Sequence, residues 1–308
     1  MAAKRKEKKV KEPLIVSWLA YVAVRCLFAL YGLIPARKAY DIGAGFVRFF
    51  YPLFRGRRKV AVENILKAGI TEDPKEADRI ARIAFGHFAG HLCEALKVGE
   101  VVTAENWREH LAFDGPESTR KMLLERPDLP VMILTGHHGV WEAGGIVLSY
   151  TRPLIAVARK MNNPFLERYF KTHHFRGSIT VISKKKGFTP EIIRQWKQTR
   201  AAMTLVMDQH ANRKQGVVVD FLGRPASTHT SPARLHLATG IPMLIGSFVR
   251  DAPFQYRILT EDPFVYQPTG DREADTRAVL AEVNRRLSAV IRRYPEQYLW
   301  AHKRWRVE

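Results

Sequence analysis

From residue 131 onward, short uninterrupted apolar runs alternate with longer segments whose apolar residues recur at helical spacing, and few architectures accept that alternation. Val131–Thr135, Leu154–Ala158, Ile179–Ile182, Ala202–Met207 and Pro242–Val249 are too short for helices and carry apolar residues on both sides, as strands covered on two faces do. Between and after them, residues 141–150, 165–174, 190–198 and 232–239 predict helices, and 274–293 predicts a long amphipathic one. Residues 216–221, 256–259 and 264–266 predict further strands. Upstream, 60–97 reads as helical, with Asp73-Pro74 marking a break before the amphipathic stretch 77–96. The expectation is an α/β fold: a mostly central β-sheet flanked by helices on both faces. No repeat or flexible linker interrupts residues 60–308, which read as a single domain.

Residues 1–59 have a different character. Six Lys and Arg against Glu7 make the first eleven residues basic. Pro13 to Val24 and Cys26 to Pro35 are then almost wholly apolar, long enough together to cross a bilayer as a helix, with Arg25 near the middle. An arginine at bilayer mid-depth costs ~2.5–3.5 kcal/mol on the translocon scale, which a helix lying in the interface largely avoids. Phe46, Phe49, Phe50, Tyr51, Leu53 and Phe54 follow, with Arg55, Arg57, Arg58 and Lys59 directly after, a pattern suited to the headgroup boundary of an anionic leaflet. The segment is read as a membrane-associated helical extension, single-pass or monotopic, with Trp18, Arg25, Phe49 and Phe50 as its membrane-facing residues. Lysines ahead of the apolar run favour a cytoplasmic N-terminus, and the absence of a disulfide framework favours the cytoplasmic face for the main domain.

Composition narrows the partners. The 308 residues carry 50 Lys and Arg against 30 Asp and Glu, a formal charge of +20. Such a chain attracts nucleic acid, anionic lipid or an acidic carrier protein. The stretch 152–214 alone holds 14 Lys and Arg against Glu167, Glu191 and Asp208, so the charge gathers where the candidate chemistry lies. Two cysteines, Cys26 and Cys93, build neither a disulfide scaffold nor a thiolate zinc site.

That chemistry centres on Thr135-Gly136-His137-His138-Gly139-Val140-Trp141-Glu142-Ala143-Gly144-Gly145, which begins where a buried strand should end. Open α/β sheets gather reacting groups at the carboxyl ends of their strands. A histidine there suits general-base work near neutral pH. Glu142, one turn into the following helix, is expected to accept the Nδ1 proton of His137 and leave Nε2 free to take another. No GxSxG elbow or nearby cysteine supplies a nucleophile, so the hydroxyl to be activated should belong to a substrate. Two other readings stand beside this one. The paired histidines would bind a metal with Glu142 or Asp208, although HHxxxE matches no familiar zinc motif, or they would simply fill the core. Arg159-Lys160, ahead of Asn163-Pro164, and Asp208-Gln209 also follow strands and point to the same pocket mouth. Phe221 to Thr228, including Gly223 and Thr228, predicts a Gly/Pro turn and then a helix start able to hold an anion or a carbonyl oxygen.

His137 and Glu142 match the HxxxxE/D motif of glycerolipid-type acyltransferases. The chain as a whole resembles the bacterial lipid A biosynthesis acyltransferase (lauroyl/myristoyl transferase) family. The likeness runs through Arg159…Asn163-Pro164, Asp208-Gln209, Phe221…Gly223…Ala226…Thr228, Ala233-Arg234-Leu235…Gly240 and Pro295 to Trp305. It implies a glycerolipid acyltransferase-like fold and transfer of a fatty acyl chain from acyl carrier protein to a hydroxyl of an acylated glucosamine disaccharide, at the cytoplasmic face of the inner membrane. By the same resemblance His137 deprotonates the acceptor, Glu142 orients His137, and Arg159 or a backbone amide meets the oxyanion. Asn163, Asp208, Gln209, Gly223 and Thr228 then belong to the substrate-binding surroundings, and neither metal nor redox cofactor is needed. The family's Arg-Pro element reads Arg159-Lys160 here, which leaves room for another glycolipid or a lysophospholipid as acceptor and for an acyl-CoA donor. The rival classes are a basic membrane-bound scaffold and a nucleic-acid-binding protein. No nucleic-acid recognition motif is present, and nucleic acid is not the expected partner.

Overall fold

The computed structural model describes residues 13–158, 161–173, 179–183, 190–212 and 214–306. Four helices come first: α1 (Leu14–Gly32), α2 (Ala39–Phe49), α3 (Arg55–Lys67) and α4 (Pro74–Val101). At 19 residues and nearly uncharged, α1 is long and apolar enough to cross a membrane by length and composition. The start of α4 is fixed by Pro74 and by Asp73, whose carboxylate accepts the Lys75 amide at 2.9 Å. Its buried Ala77, Ile80, Ala81 and Ala84 recur at helical spacing and face the core.

The α/β part follows as α5 (Trp107–His110), β1 (Leu111–Asp114), α6 (Glu117–Leu124), β2 (Val131–Thr135), α7 (Trp141–Leu148), β3 (Leu154–Ala158), α8 (Pro164–His173), β4 (Ile179–Ser183), α9 (Pro190–Thr199) and β5 (Ala202–Val206). It continues with β6 (Gly216–Phe221), β7 (Arg224–His229), α10 (Ser231–Thr239), β8 (Met243–Ala252), β9 (Gln255–Thr260) and α11 (Arg272–Arg293). Seven strands form one sheet in the order β1-β9-β8-β2-β5-β3-β4. Pairing is parallel except between β8 and β9. This is the mixed central sheet flanked by helices that the alternating pattern implied.

Strand parity divides the core. Met132 and Leu134 of β2, Met203 of β5 and Met243 and Ile245 of β8 pack with Trp196, Leu235, Val283 and Leu287 on one face. Val131, Ile133 and Leu244 point the other way, toward Ala143, Val147, Trp107 and Val98. Both sides of the central strands are therefore covered, which is why they read as continuous apolar runs.

Two expectations fail locally. Residues 221–228 are not a turn leading into a helix: β6 and β7 form a two-stranded antiparallel hairpin, and the helix starts only at Ser231. Leu222 and Gly223 both adopt positive φ, 55° and 83°, which suits a two-residue hairpin turn. Pro225 is tolerated because the hairpin stands apart from the seven-stranded sheet. Residues 264–266 are not a strand, since only Phe264 bridges, to Met243. The short strand β1 carries too little pattern to be read from sequence.

Residues before 60 are divided between core and surface. Ala39, Ala44 and Tyr51 are buried, while Phe49 is 76% exposed and Trp18 48% exposed. Arg25 is exposed as well, and Phe50 is half-buried against Phe46 and Phe49.

Candidate active site

The turn after β2 has one backbone solution. Gly139 sits at φ +66°, and a Cβ there would run into the Phe248 carbonyl, so only glycine lets the chain bend into α7. The turn is pinned from two sides. Val140 donates its amide to Phe248 (2.6 Å), Gly139 donates to Gln297 (2.8 Å), and His137 accepts at its carbonyl from Leu299 (3.0 Å). The chain after α11 thus straps the loop in place. His138 points inward, fully buried, with Nδ1 at 2.6 Å from Ser247 Oγ and Nε2 at 3.0 Å from the Tyr294 carbonyl. Burial holds its pKa down at about 4, so it stays neutral and belongs to the core.

His137 points outward, with 23% of its side chain exposed, toward Asp208, of which 3% is exposed. Their meeting follows from sheet order. β5 lies beside β2 with Thr135 opposite Val206, so the loops leaving both strands run side by side. Asp208 Oδ1 is 2.8 Å from His137 Nδ1, and Oδ2 accepts the His137 amide at 3.0 Å. A carboxylate only accepts, so the Nδ1 proton faces Asp208 and Nε2 keeps its lone pair, to which Gln209 Nε2 donates at 3.3 Å. The Nδ1 bond expected for Glu142 is therefore made by Asp208. Glu142, second residue of α7, bears on His137 through its charge.

The charges reinforce one another. Burial by itself would lower the His137 pKa, but Asp208 and then Glu142 outweigh it and raise the pKa above the usual imidazole value. For Asp208 burial acts upward, yet the His137 ring and amide, together with the Arg304 guanidinium, bring its carboxyl down to about 2. The pair is a carboxylate-held imidazole with Nε2 presented outward.

The other residues read from the sequence divide. Gln209 joins the site, and Thr228 stands behind it: fully buried, its Oγ1 is bonded to Arg304 (2.7 Å) and Asn284 (3.1 Å). Asn163 instead caps α8, accepting from the Phe165 and Leu166 amides, and donates to the Ser17 carbonyl at 2.7 Å. Gly223 lies at the hairpin tip beside Arg292 of α11. Neither is brought to His137. Arg159 lies outside the described residues. Among the described residues no group of three or more His, Cys, Asp or Glu could hold a metal ion.

Three features escaped sequence reasoning. Trp141 is wedged between His137 and the buried His91, with ring centroids 5.1 and 4.1 Å away. His302 accepts the His210 amide at 3.0 Å and helps the terminal strap close the site floor. A cavity of about 530 Å³ opens next to Gln209 and is lined mainly by Val47, Phe54, Phe85, Phe88, Ala89 and Trp300. Only the Gly-flanked histidines and the run Pro295 to Trp305 hinted at any of this, because the contacts link segments far apart in the chain.

The profile of the bacterial lipid A biosynthesis acyltransferase family matches residues 4–307. The lipid A biosynthesis palmitoleoyltransferase of Escherichia coli (strain K12) is 27% identical over 180 residues, 57% of this chain. The lipid A biosynthesis acyltransferase of Shigella flexneri matches to the same extent. The matched stretch spans a little over half, 56%, of each relative. A crystal structure of the 1-acyl-sn-glycerophosphate (LPA) acyltransferase PlsC from Thermotoga maritima aligns over 82% of this chain and 95% of its own, with 12% identity and a TM-score of 0.36. With the family match running almost end to end, the chain belongs to the bacterial lipid A biosynthesis acyltransferase family.

Proposed function

We propose that this chain is an O-acyltransferase that moves a fatty acyl group from an acyl-carrier-protein thioester to a hydroxyl of a lipid A precursor at the cytoplasmic face of the inner membrane. The observation that carries this reading is the His137–Asp208 pair, with Nε2 turned to Gln209 beside an apolar cavity. In this reading the acceptor hydroxyl takes the place of Gln209 at Nε2 and gives its proton to His137, while Asp208 balances the imidazolium. The oxygen attacks the thioester carbon, and Arg159 or a backbone amide meets the oxyanion. The tetrahedral intermediate collapses with loss of the C–S bond, and the imidazolium returns its proton to the leaving thiolate. One ester and one free carrier thiol result. Phe54, Phe85, Phe88 and Ala89 supply the apolar slot for the donor's acyl chain. A formal charge of +20 draws in both the acidic carrier and phosphorylated lipid.

The test is mass spectrometry of bacterial lipid extract incubated with the purified chain and, in parallel samples, acyl-carrier-protein thioesters or acyl-CoA. A lipid A precursor heavier by one ester-linked acyl group supports the reading. Acylation confined to lysophospholipid or another glycolipid would overturn the acceptor, transfer from acyl-CoA alone would overturn the donor, and no new ester would overturn both.

A further inference from the structure

Helix α1 is long and apolar enough to cross a membrane, but its contacts describe a different placement. From Ser17 to Gly32, ~24 Å at 1.5 Å per residue, one side of α1 is fastened to the α/β body. The Ser17 carbonyl accepts from Asn163 at 2.7 Å. Tyr21 packs on Phe165 and Tyr169, with centroids 6.0 and 6.2 Å away, and Phe28 packs on Tyr169 and Phe170 at 5.8 and 5.9 Å. Tyr31 donates to the Cys93 carbonyl at 2.5 Å, and the Gly32 carbonyl accepts from Lys97 at 3.0 Å. Arg25 bonds Tyr21 Oη at 3.0 Å and lies 4.9 Å above the Tyr169 ring.

A helix clamped over that length cannot cross a bilayer alone. It would draw α8 and the end of α4 through the hydrocarbon with it, including Glu167, Arg168 and the Lys97–Glu100 pair at 3.1 Å. Charged groups at that depth are strongly disfavoured. The side of α1 turned away from the body is a plain apolar stripe. Ile15, Leu19, Leu30 and Leu33 are 68, 56, 64 and 81% exposed and share one face with the exposed Cys26.

We propose that α1 lies in the plane of an anionic membrane surface instead of spanning it, and that α2 and the turn after it extend the same docking face. Ile42, Phe46 and Phe49 recur at helical spacing on the open side of α2, and Leu53 follows at 71% exposure. Exposed Arg37 and Lys38 stand between the two helices, and Arg55, Arg57 and Lys59 come directly after. Apolar anchors edged by cations fit the headgroup zone of an anionic leaflet. The placement has a use in the proposed reaction, and only this clause rests on that reading: Val47 and Phe54, from the same stretch, line the cavity beside Gln209, so a lipid chain reaches His137 without leaving the membrane surface.

The native Cys26 supplies the test. In the full chain with Cys93→Ser, Cys26 takes an environment-sensitive fluorophore. Ile15→Cys and Leu33→Cys, each with Cys26→Ser and Cys93→Ser, take the same label. All are bound to vesicles of phosphatidylethanolamine and phosphatidylglycerol carrying nitroxide lipids at shallow or deep positions. In-plane docking makes all three labels respond alike, each about two-fold more to the shallow nitroxide than to the deep one. Deep quenching at Cys26 with shallow quenching at 15 and 33 would mean a span and overturn the proposal. No quenching at any position would overturn the lipid face itself. Acyl transfer, assayed separately on the same proteins, keeps failure of the placement distinct from failure of the reaction.

Discussion

An Asp208→Asn substitution exchanges one oxygen for an NH₂ group and should change which nitrogen of His137 carries a proton. Both Asp208 oxygens accept from His137, one from the backbone amide at 3.0 Å and one from Nδ1 at 2.8 Å. The backbone amide can only donate, so the carbonyl oxygen of the introduced asparagine must stay with it, and the NH₂ group must face Nδ1. That arrangement drives the ring proton to Nε2, the atom meant to accept one. The substitution also removes the charge that balances the imidazolium, an interaction of about 4 kcal/mol for unit charges ~4 Å apart at an effective dielectric near 20. Together these effects should lower kcat roughly 10⁴-fold, the loss seen when the orienting acid of a triad becomes an amide. The assay is single-turnover transfer from an acyl-carrier-protein thioester across a pH series, with far-UV circular dichroism as the folding control. In the native enzyme kcat/KM should rise as pH climbs through the raised His137 pKa. In Asp208→Asn burial acts on His137 with only the weaker pull of Glu142 opposing it, so the residual activity should rise at lower pH. Glu142→Gln should move the profile the same way by less. A folded Asp208→Asn enzyme within ten-fold of native activity would refute the reasoning.

Three further outcomes follow from named contacts. Gly139→Ala places a Cβ against the Phe248 carbonyl in a left-handed conformation and should cost roughly 3 kcal/mol or more, read as a lowered denaturant midpoint or loss of soluble protein. Ala89→Phe should shorten the apolar slot: excluding two or three methylenes costs about 2 kcal/mol, roughly 30-fold in kcat/KM for the longest accepted donor, with shorter donors little affected. His87 and His138 are held by burial at pKa values of about 3 and 4, below the unfolded imidazole value. Their stabilising contribution is complete above that unfolded value and is lost as pH falls through the folded ones. Tm should therefore decline from pH 6.5 toward 4, and a flat profile there would contradict their burial.

The fold was legible because both faces of the central strands are covered. Val131–Thr135 is buried throughout and Ala202, Met203 and Leu205 are buried on opposite faces of β5, so their sequences announce strands without naming neighbours. Strand order is not written in either run, and strand order is what makes Asp208 the partner of His137. Glu142 looks closer because it is near in sequence, whereas Asp208 is near because β5 lies beside β2. The hairpin at 216–229 misleads for a related reason: Pro225 and Gly223 look like helix punctuation unless one knows that β7 pairs on one side only. Trp141, His302 and the cavity beside Gln209 are invisible in the sequence because each joins segments distant along the chain.

The most direct measurement is the single-turnover rate of acyl transfer by His137→Ala against the native chain, with both proteins shown to be folded and equally bound to vesicles. Loss of a hundred- to ten-thousand-fold, with folding and membrane binding kept, is the expected result for a general base on which the whole reaction turns, the ~10²–10⁴ range that such groups supply. Transfer at an undiminished rate would mean that the acceptor hydroxyl gives its proton elsewhere and that the His137–Asp208 pair serves only the structure.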